Sequence, residues 1–459
     1  MASKNATTDA EIEHLQKKPV SPFVRTWQVS YPIIANNFAQ ILLGIADTIM
    51  LSRLSTTALA GVALAVSTYT VLTMLITGWA TATQTLTARR LGAKEPEQIG
   101  PIVDVSLVFT ISTACIITIL VACFSSSLLQ LFGTGAELTD AAALYLRIRI
   151  LSLPLVAMTG TLRAFYGGLG ATRISMYMAL VVNLIHIPVS YLFIFLFHWG
   201  VAGAAFGSLI STAVGTCYMI WYGFTRYRAT YPFFQHFHLK ITTVRKLAPM
   251  IWHISWPEIV MLFLVYFTDL LIVGFVATEG TIEIAGIRTL GNIENLMFTL
   301  IFACSIGESI LMSQSLGAGD LTKARSYLRS SLFLTGLVAG IIAFLLLLFP
   351  RVILTIFTPD QNVIQIATPA LYVLVCNLPL MVLTMAFSGA LRAAGYTRPV
   401  MNATLIASYL FYAPLAWIFL NVFHLGLVGV YLSLFIYWVV RLAYTGYRFA
   451  QGHWKTRKI

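Results

Sequence analysis

The most constraining feature of this 459-residue sequence is a succession of continuous apolar runs, each about as long as a membrane-spanning helix. The run 332–349 is one example. A helix needs about 20 mainly apolar residues to cross the hydrocarbon core, whereas barrel strands alternate apolar and polar residues over about ten positions. With 58% hydrophobic and only 10% charged residues, the chain is predicted to be an all-α integral membrane protein, not a water-soluble globule.

Apolar runs between charge clusters predict twelve spans. They lie near 27–51, 58–86, 101–125, 141–167, 174–197, 200–224, 247–276, 283–314, 326–349, 363–391, 399–423 and 425–447. The first six form a predicted N-lobe, 27–224, and the last six a C-lobe, 247–447. Around them we expect an N-terminal tail, 1–26, an inter-lobe loop, 225–246, and a C-terminal tail, 448–459.

The basic residues predict the orientation of the chain. Of the 29 Lys and Arg residues, 24 fall in the two tails and the alternate loops that share their side. By the positive-inside rule, this side is cytoplasmic, so both termini are expected inside a cell that carries the protein in its cytoplasmic membrane. The formal net charge of +12 then needs no nucleic-acid partner. Arg147 and Arg149, in the fourth span, are expected to snorkel toward its outer end.

The two halves of the sequence repeat one another. A shift of 225 or 226 residues matches Pro32 with Pro257, Gly170 with Gly395 and Pro188 with Pro414. Because six spans are an even number, both copies enter the membrane in the same direction and are expected to be related by an axis along the membrane normal. The repeat predicts two pseudo-symmetric six-helix lobes with a cleft between them, which favours a carrier over a channel or an enzyme.

Short motifs lie in order along the two copies. They are Pro32 followed by Asp47-Thr48, ALAG at 58–61, ARRLGA at 88–93, GVAGAA at 200–205, Pro257, LGAGD at 316–320 and LRAAGYTR at 391–398. Through them the whole chain resembles the multidrug and toxic compound extrusion (MATE) transporters. The resemblance implies a two-lobe fold that expels small organic, often cationic, compounds in exchange for H⁺ or Na⁺. No cofactor besides the coupling ion and no partner besides membrane lipid is implied, and we expect a monomer.

Asp47 is the foremost candidate for ion coupling. A charge at the bilayer centre costs about 2.5–3.5 kcal/mol on insertion scales, so an acid inside a span indicates function by default. Asp47 also matches the first-span acid of the MATE family. It is predicted to take up a proton, or to hold Na⁺ if other oxygen atoms converge on it. The alternative is that Asp47 marks the end of the span in the headgroup region.

The fifth span supplies the predicted partners of Asp47. In many MATE relatives an Asn and an acid just before a proline complete a cation site there. Asn183 fits this pattern, but Ile187 stands where the acid would be. His186 and Ser190 are the polar residues beside it, and histidine titrates near neutral pH, which predicts a proton relay from Asp47 to His186. The alternative is that His186 is only a hydrogen-bonded packing residue.

The second half carries more acidic residues within its spans. Relatives use acids in the seventh and tenth spans, but the tenth span here has none. At least one of Glu258, Asp269 and Glu294 is expected to line the cleft. A compatible structural role is that Arg288 pairs with one acid and holds two helices together. Glu308 lies nearer the cytoplasmic end and is expected to be solvated.

Two prolines are predicted to bend the first helix of each lobe. Pro32 and Pro257 each remove a backbone hydrogen bond inside a span. Pro32 lies on the helix that carries Asp47, so protonation of that acid could change the shape of the helix and couple charge to cleft access. The alternative is a static kink.

Other classes of function fit the sequence less well. No nucleophile motif, phosphate loop or metal signature stands out, and the duplication favours two equivalent halves over catalytic groups gathered in one lobe, which argues against an intramembrane enzyme. The five cysteines lie in apolar segments without metal-ligand spacing and predict neither a disulfide framework nor a metal site. A lipid or lipid-linked oligosaccharide flippase of the same superfamily would be expected to have a more basic cavity. An exporter of one specific metabolite is a further alternative.

Overall fold

The computed structural model describes residues 20–130, 135–231 and 240–455, and every regular element in these ranges is helical. Twelve of the helices are long and apolar enough to cross a membrane. In chain order these are α1 (Pro22–Ser52), α2 (Ala58–Gly92), α3 (Pro96–Gln130), α4 (Leu138–Gly168), α5 (Arg173–Leu196), α6 (Gly200–Arg226), α7 (Ile241–Ala277), α8 (Thr281–Gly317), α9 (Leu321–Leu348), α10 (Gln361–Ala393), α11 (Arg398–Asn421) and α12 (Gly426–Ala450). The predicted all-α architecture with twelve spans is confirmed.

The helices extend beyond the predicted apolar runs, and the loops are correspondingly shorter. α1 begins at Pro22, where Ser21 accepts a hydrogen bond from the Val24 amide and proline occupies the first turn, as is common at helix N-termini. Of the predicted tail 1–26, residues 1–19 lie outside the described ranges. α6 continues to Arg226 and α7 begins at Ile241, so the segment between these two helices is shorter than the predicted 225–246. The reason is that apolar runs mark only the part of a helix inside the hydrocarbon core, whereas the backbone hydrogen bonds of the helix continue beyond that core.

The sequence repeat is also visible in the backbone. Eight of the ten described residues with positive φ occur in pairs at the same offset of 225 or 226; Gly280 and Gly452 do not. The pairs are Lys94 (61°) with Gly319 (73°), Gly170 (80°) with Gly395 (65°), His198 (56°) with His424 (51°), and Gly200 (53°) with Gly426 (54°). The left-handed region is rarely populated by residues other than glycine, so four matched pairs are strong support for two copies of one structural unit.

The helices form two compact units whose limits differ from the lobes drawn on the sequence. The first unit holds the described residues up to Arg25 and Ala35–Ser255, and the second holds Thr26–Ile34 and the described residues from Trp256 onward. The segment Thr26–Ile34 of α1 thus belongs to the second unit, and the part of α7 up to Ser255 belongs to the first unit. Pro32 and Pro257 each lie within a few residues of these changes, so the predicted bending prolines mark the points where α1 and α7 pass from one unit to the other.

Within the first unit, α5 and α6 pack closely through a face of small residues on α6. Gly203, Gly207, Ser211 and Gly215 are spaced four apart and share this face. A Cβ at Gly203 would lie 2.7 Å from the backbone carbon of Phe193, and one at Gly207 would overlap the Ser190 hydroxyl. Small residues at helix interfaces let backbones approach closely in membranes. This contact sets the position of the polar face of α5.

Candidate functional site

Asp47 and His186 are in direct contact in the first unit. His186 Nε2 lies 2.6 Å from Asp47 Oδ1, which joins α1 to α5. The His186 side chain is completely buried, whereas 22% of the Asp47 side chain is exposed. The structure thus brings together the two residues that the sequence predicts to form a proton relay, with the carboxylate on the accessible side of the imidazole.

The second ring nitrogen of His186 contacts Ser211 on α6. Nδ1 lies 3.1 Å from Ser211 Oγ. The single hydroxyl hydrogen of Ser211 is directed at backbone carbonyls of its own helix, those of Gly207 at 2.8 Å and Ser208 at 3.1 Å. Ser211 therefore accepts from Nδ1–H. Nε2 then shares one proton with Asp47, either as carboxylic acid and neutral imidazole or as carboxylate and imidazolium.

Of the two other candidates on the fifth helix, Ser190 contacts His186 of the Asp47–His186 pair and Asn183 does not. Ser190, one turn after His186, lies with Oγ 3.3 Å from Nε2. The Asn183 amide instead donates to the Ala179 carbonyl of its own helix at 2.9 Å. Asn183 therefore does not take part in the Asp47–His186 contact.

Arg149 is a charged neighbour of this pair that the sequence reasoning missed. It was expected to snorkel, but its guanidinium lies 4.6 Å from the centre of the Tyr69 ring and donates to Ser152 at 3.1 Å. It also interacts electrostatically with Asp47. Arg147 is exposed and bonds to hydroxyl groups on α3, so the snorkelling of both arginines stays a prediction. Hydropathy predicts roughly how deep both arginines lie along their span, but it cannot predict that the Arg149 guanidinium contacts the Tyr69 ring.

In the second unit, Glu258 forms a buried ion pair with Arg392. The Arg392 Nε atom lies 2.9 Å from Glu258 Oε1, and the two side chains are 8% and 6% exposed. The guanidinium also lies 5.6 Å from the centre of the Phe302 ring. The sequence places Arg392 in a cytoplasmic loop and gives Arg288, as an alternative, the structural role of pairing with one acid. Arg288 is exposed and makes no ion pair within the described ranges.

The other acidic candidates of the second unit form a looser group. Asp269 interacts electrostatically with Arg288, and Glu294 with Asp269. The phenol groups of Tyr412 and Tyr431 lie near both acids. This group is an arrangement of charges and hydroxyl groups without a close ion pair.

Glu308 differs most from its predicted environment. It was expected to be solvated, but its side chain is completely buried within α8. The reason is that α8 is buried on most of its faces between α9 and α10, which sequence hydropathy cannot distinguish from a lipid-facing helix. In the ranges that the structure describes, no three His, Cys, Asp or Glu side chains are grouped as a metal site would require.

A sequence profile matches both halves of the chain. The MatE family matches residues 32–192 and 257–418, so it covers well over half of the sequence. The two matches are offset by 225 residues at their starts and 226 at their ends, which confirms the internal duplication.

Curated relatives and solved structures agree with this match. The chain is 24% identical to a probable multidrug resistance protein NorM of Thermotoga maritima, covering 99% of this chain and 97% of that protein. It is 26% identical to the multidrug resistance protein PmpM of Pseudomonas aeruginosa, covering 82% and 79% respectively. Its fold is similar to that of a MOP superfamily transporter from Pyrococcus furiosus, with a TM-score of 0.86, 19% identity, and coverage of 95% of this chain and 97% of that one.

Proposed function

Because this chain belongs to the MATE family of transporters, we propose that it exports small organic, often cationic, compounds from the cell in exchange for protons. Its relatives are multi-pass membrane transporters and not enzymes, and several carry the name of multidrug resistance proteins. The proposal adds to this family membership a coupling ion and the residues that carry it.

The contact between Asp47 and His186 is the observation that carries the proposal. One proton bridges the two side chains, and Asp47 remains partly accessible, so the proton can leave and return on the carboxylate side. With the proton gone, the pair changes from neutral to a net negative charge, which attracts an organic cation. Proton and substrate then compete for the same group, which is what exchange requires.

The partner of Asp47 favours H⁺ over Na⁺ at this position. Na⁺ is a hard cation that prefers oxygen atoms, and it would have to displace or share Asp47 Oδ1 with a ring nitrogen at 2.6 Å. The Asn183 side chain is oriented by its amide nitrogen, which donates to the Ala179 carbonyl, and it makes no hydrogen bond to Asp47 or His186 in the described structure. A nitrogen that can itself accept a proton is better suited to proton transfer.

The remaining parts of the proposal follow from the family and the charge distribution. Transport proceeds by alternating access, with both termini in the cytoplasm and the protein in the cytoplasmic membrane as a monomer. Pro32, on the helix that carries Asp47, provides the place where that helix can change its shape when the carboxylate gains or loses a proton.

The test uses everted membrane vesicles that contain the protein and an imposed pH gradient. Addition of a cationic dye should dissipate the gradient, equally well when Na⁺ is replaced by choline at fixed pH. Asp47→Asn and His186→Gln should abolish this exchange. Thr48→Ala is the matched control, because the Thr48 hydroxyl bonds only to the Gly44 carbonyl of its own helix.

Two results would contradict the proposal. Full exchange activity in Asp47→Asn, with normal amounts of folded protein, would remove this carboxylate from the mechanism. A strict requirement for Na⁺ in the choline experiment would replace the proton as the coupling ion.

A further inference from the structure

Arg149 is a permanently charged side chain of the first unit without an acidic partner. Its Nη1 atom donates to the Ser152 hydroxyl at 3.1 Å and to the Thr212 hydroxyl at 3.4 Å, and both acceptors are neutral. No carboxylate of the described ranges lies within ion-pair distance of the guanidinium. A guanidinium does not lose its proton in a protein, and a charge inside a span is costly unless it is compensated. The contacts of Arg149 therefore leave its positive charge without a counter-charge in direct contact.

The guanidinium of Arg149 is held in place with one edge unused. Tyr69 covers one face of it, with 4.6 Å between Cζ and the ring centre. The Ser152 hydroxyl lies 2.9 Å from the Tyr69 hydroxyl and donates to the Arg149 carbonyl at 2.6 Å, so it fixes both partners. Nε and Nη2 make no hydrogen bond within the described ranges, and neither atom is fully enclosed. These two donors form the parallel fork that binds a carboxylate with two hydrogen bonds.

Asp47 also keeps one oxygen atom without a hydrogen bond. Oδ1 contacts His186, whereas Oδ2 has no hydrogen-bond partner among the residues that the structure describes, and 22% of the side chain is exposed. Asp47 and Arg149 attract one another electrostatically but do not form an ion pair. α6 positions both, because Thr212 contacts Arg149 and the adjacent Ser211 contacts His186. Two opposite charges are thus held apart, each with an unused hydrogen-bonding group.

The second copy of the repeat shows that the fold needs neither charge. At the offset of 225, the residue equivalent to Asp47 is Ile272, and the residue equivalent to Arg149 is Leu374. Ile272 and Leu374 are 2% and 0% exposed and belong to one apolar cluster. The six-helix unit therefore packs with hydrocarbon side chains at both positions. The first copy carries the acid and the arginine together, which indicates that they serve one function.

Arg149 changes the net charge that a substrate meets at this site. While Asp47 and His186 share one proton, that pair is neutral, and Arg149 gives the site one positive charge. Once the proton has left, the negative charge of the pair and the positive charge of Arg149 cancel. A substrate with only a positive charge is therefore attracted by Asp47 but repelled by Arg149. A substrate that carries both charges meets an opposite charge for each of them.

We propose that Arg149 binds the acidic group of zwitterionic substrates, whose cationic group takes the place of the proton at Asp47. This inference rests on the proposed function and names the class of compound that is exchanged. The substrate carboxylate accepts hydrogen bonds from Nε and Nη2 of Arg149, and its cationic amine donates to Oδ2 of Asp47. Two parallel charge-assisted hydrogen bonds add orientation as well as affinity. The acidic group thus anchors the substrate while the cationic group competes with the proton.

The test compares two rhodamine dyes that differ in one group. One dye carries a free carboxylate beside its cationic ring system and is a zwitterion at neutral pH, and the other is the methyl ester of the same dye and is a cation. Fluorescence polarisation with the purified full-length protein should show roughly tenfold tighter binding of the carboxylate dye, as expected for hydrogen bonds to a charged group.

Variants assign this preference to one side chain. Arg149→Gln should bind the carboxylate dye roughly tenfold more weakly than wild type, and it should bind the ester at least as tightly, because the repulsion is gone. Arg147→Gln is the matched control and should keep the preference of wild type. The Arg147 side chain is exposed and donates to the hydroxyl groups of Ser125 and Ser126 on α3.

Binding is measured without a pH gradient, so it decides this proposal separately from proton exchange. Equal affinity of wild type for the two dyes, no saturable binding of the carboxylate dye, or an equal loss of both dyes in Arg149→Gln would overturn it. Should Arg149→Gln fail to fold, Arg149→Lys keeps the charge but loses the fork, and unchanged affinity of that variant for the carboxylate dye would overturn it. A wild type that shows the preference but exchanges no protons for either dye would contradict the proposed function alone.

Discussion

Glu258 and Arg392 are 134 residues apart in sequence and form a buried ion pair that joins α7 to α10, with 2.9 Å between Oε1 and Nε. Their helices meet within the second unit, so the pair fixes the part of α7 that follows Pro257. A buried pair is weak evidence for net stability, because desolvation of both charges offsets their attraction. Loss of a single partner is strongly destabilising, because the remaining charge stays buried without a counter-charge.

The first prediction concerns the difference between removing one partner of this ion pair and removing both. Arg392→Met should reduce the free energy of unfolding by about 3–5 kcal/mol, because Glu258 is left charged and unpaired. The double variant Glu258→Gln with Arg392→Met should recover much of the loss. Thermal unfolding of the purified protein in detergent measures both. A double variant no more stable than the single one would show that the loss comes from packing of the arginine side chain.

The second prediction concerns the contact between α5 and α6. Gly207→Ala should destabilise the protein by about 1–3 kcal/mol, because its methyl group overlaps Ser190 and pushes α5 away. Proton-driven exchange should fall with it, since His186 moves with α5. Gly160→Ala is the control, because a Cβ there has no atom within 4 Å. Equal thermal stability of the two variants would refute the close packing described for α5 and α6.

The third prediction tests the tautomer of His186. Ser211→Ala removes the acceptor of Nδ1–H, and an unsatisfied buried donor costs about 1–3 kcal/mol. We expect the rate of dye-driven proton exchange to fall roughly tenfold, by the conversion of about 1.4 kcal/mol per factor of ten, with a displaced pH profile. Transport assays over a range of pH measure both effects. An unchanged pH profile would mean that Ser211 does not determine where the proton resides.

The fourth prediction concerns Trp454, which lies in the segment that the sequence predicts to be a C-terminal tail, 448–459. Trp454 is 1% exposed, stacks on Phe449 with 5.0 Å between ring centres, and donates to the Phe449 carbonyl. Trp454→Ala should therefore cost about 3–5 kcal/mol of stability. Trp417→Ala is the control, because Trp417 is 48% exposed. Thermal unfolding that ranks the two variants in the opposite order would contradict the docking of this segment.

The sequence predicted the elements of the fold far better than the contacts between them. Twelve spans and the duplication follow from hydropathy and from the offset of residues such as Pro32 and Pro257, because both are local properties of the chain. The proximity of Asp47 and His186 was predicted through the family pattern. Arg392 could not be assigned to Glu258 in the same way, because the choice among several candidate acids depends on helix rotation, which hydropathy leaves undetermined.

For individual buried polar residues, too, the sequence does not predict which neighbours the side chain contacts. Glu308 and Arg149 both lie in apolar spans, and sequence gives their approximate depth only. Whether a side chain faces lipid, another helix or an aromatic ring depends on which helices are neighbours. Ser211 carried one usable signal, its spacing of four residues from Gly207 and Gly215, which indicates the face of α6 that packs most closely.

The division of α1 and α7 has a consequence for how such a protein can be made. A chain severed between Arg226 and Ile241 would yield two fragments, neither of which contains all the residues of its own compact unit. Separately synthesised fragments would have to assemble together in one bilayer before either reached its final state. By the same reasoning, an ancestor with a single copy of the repeat would have been complete only as a pair of chains that exchanged their leading segments.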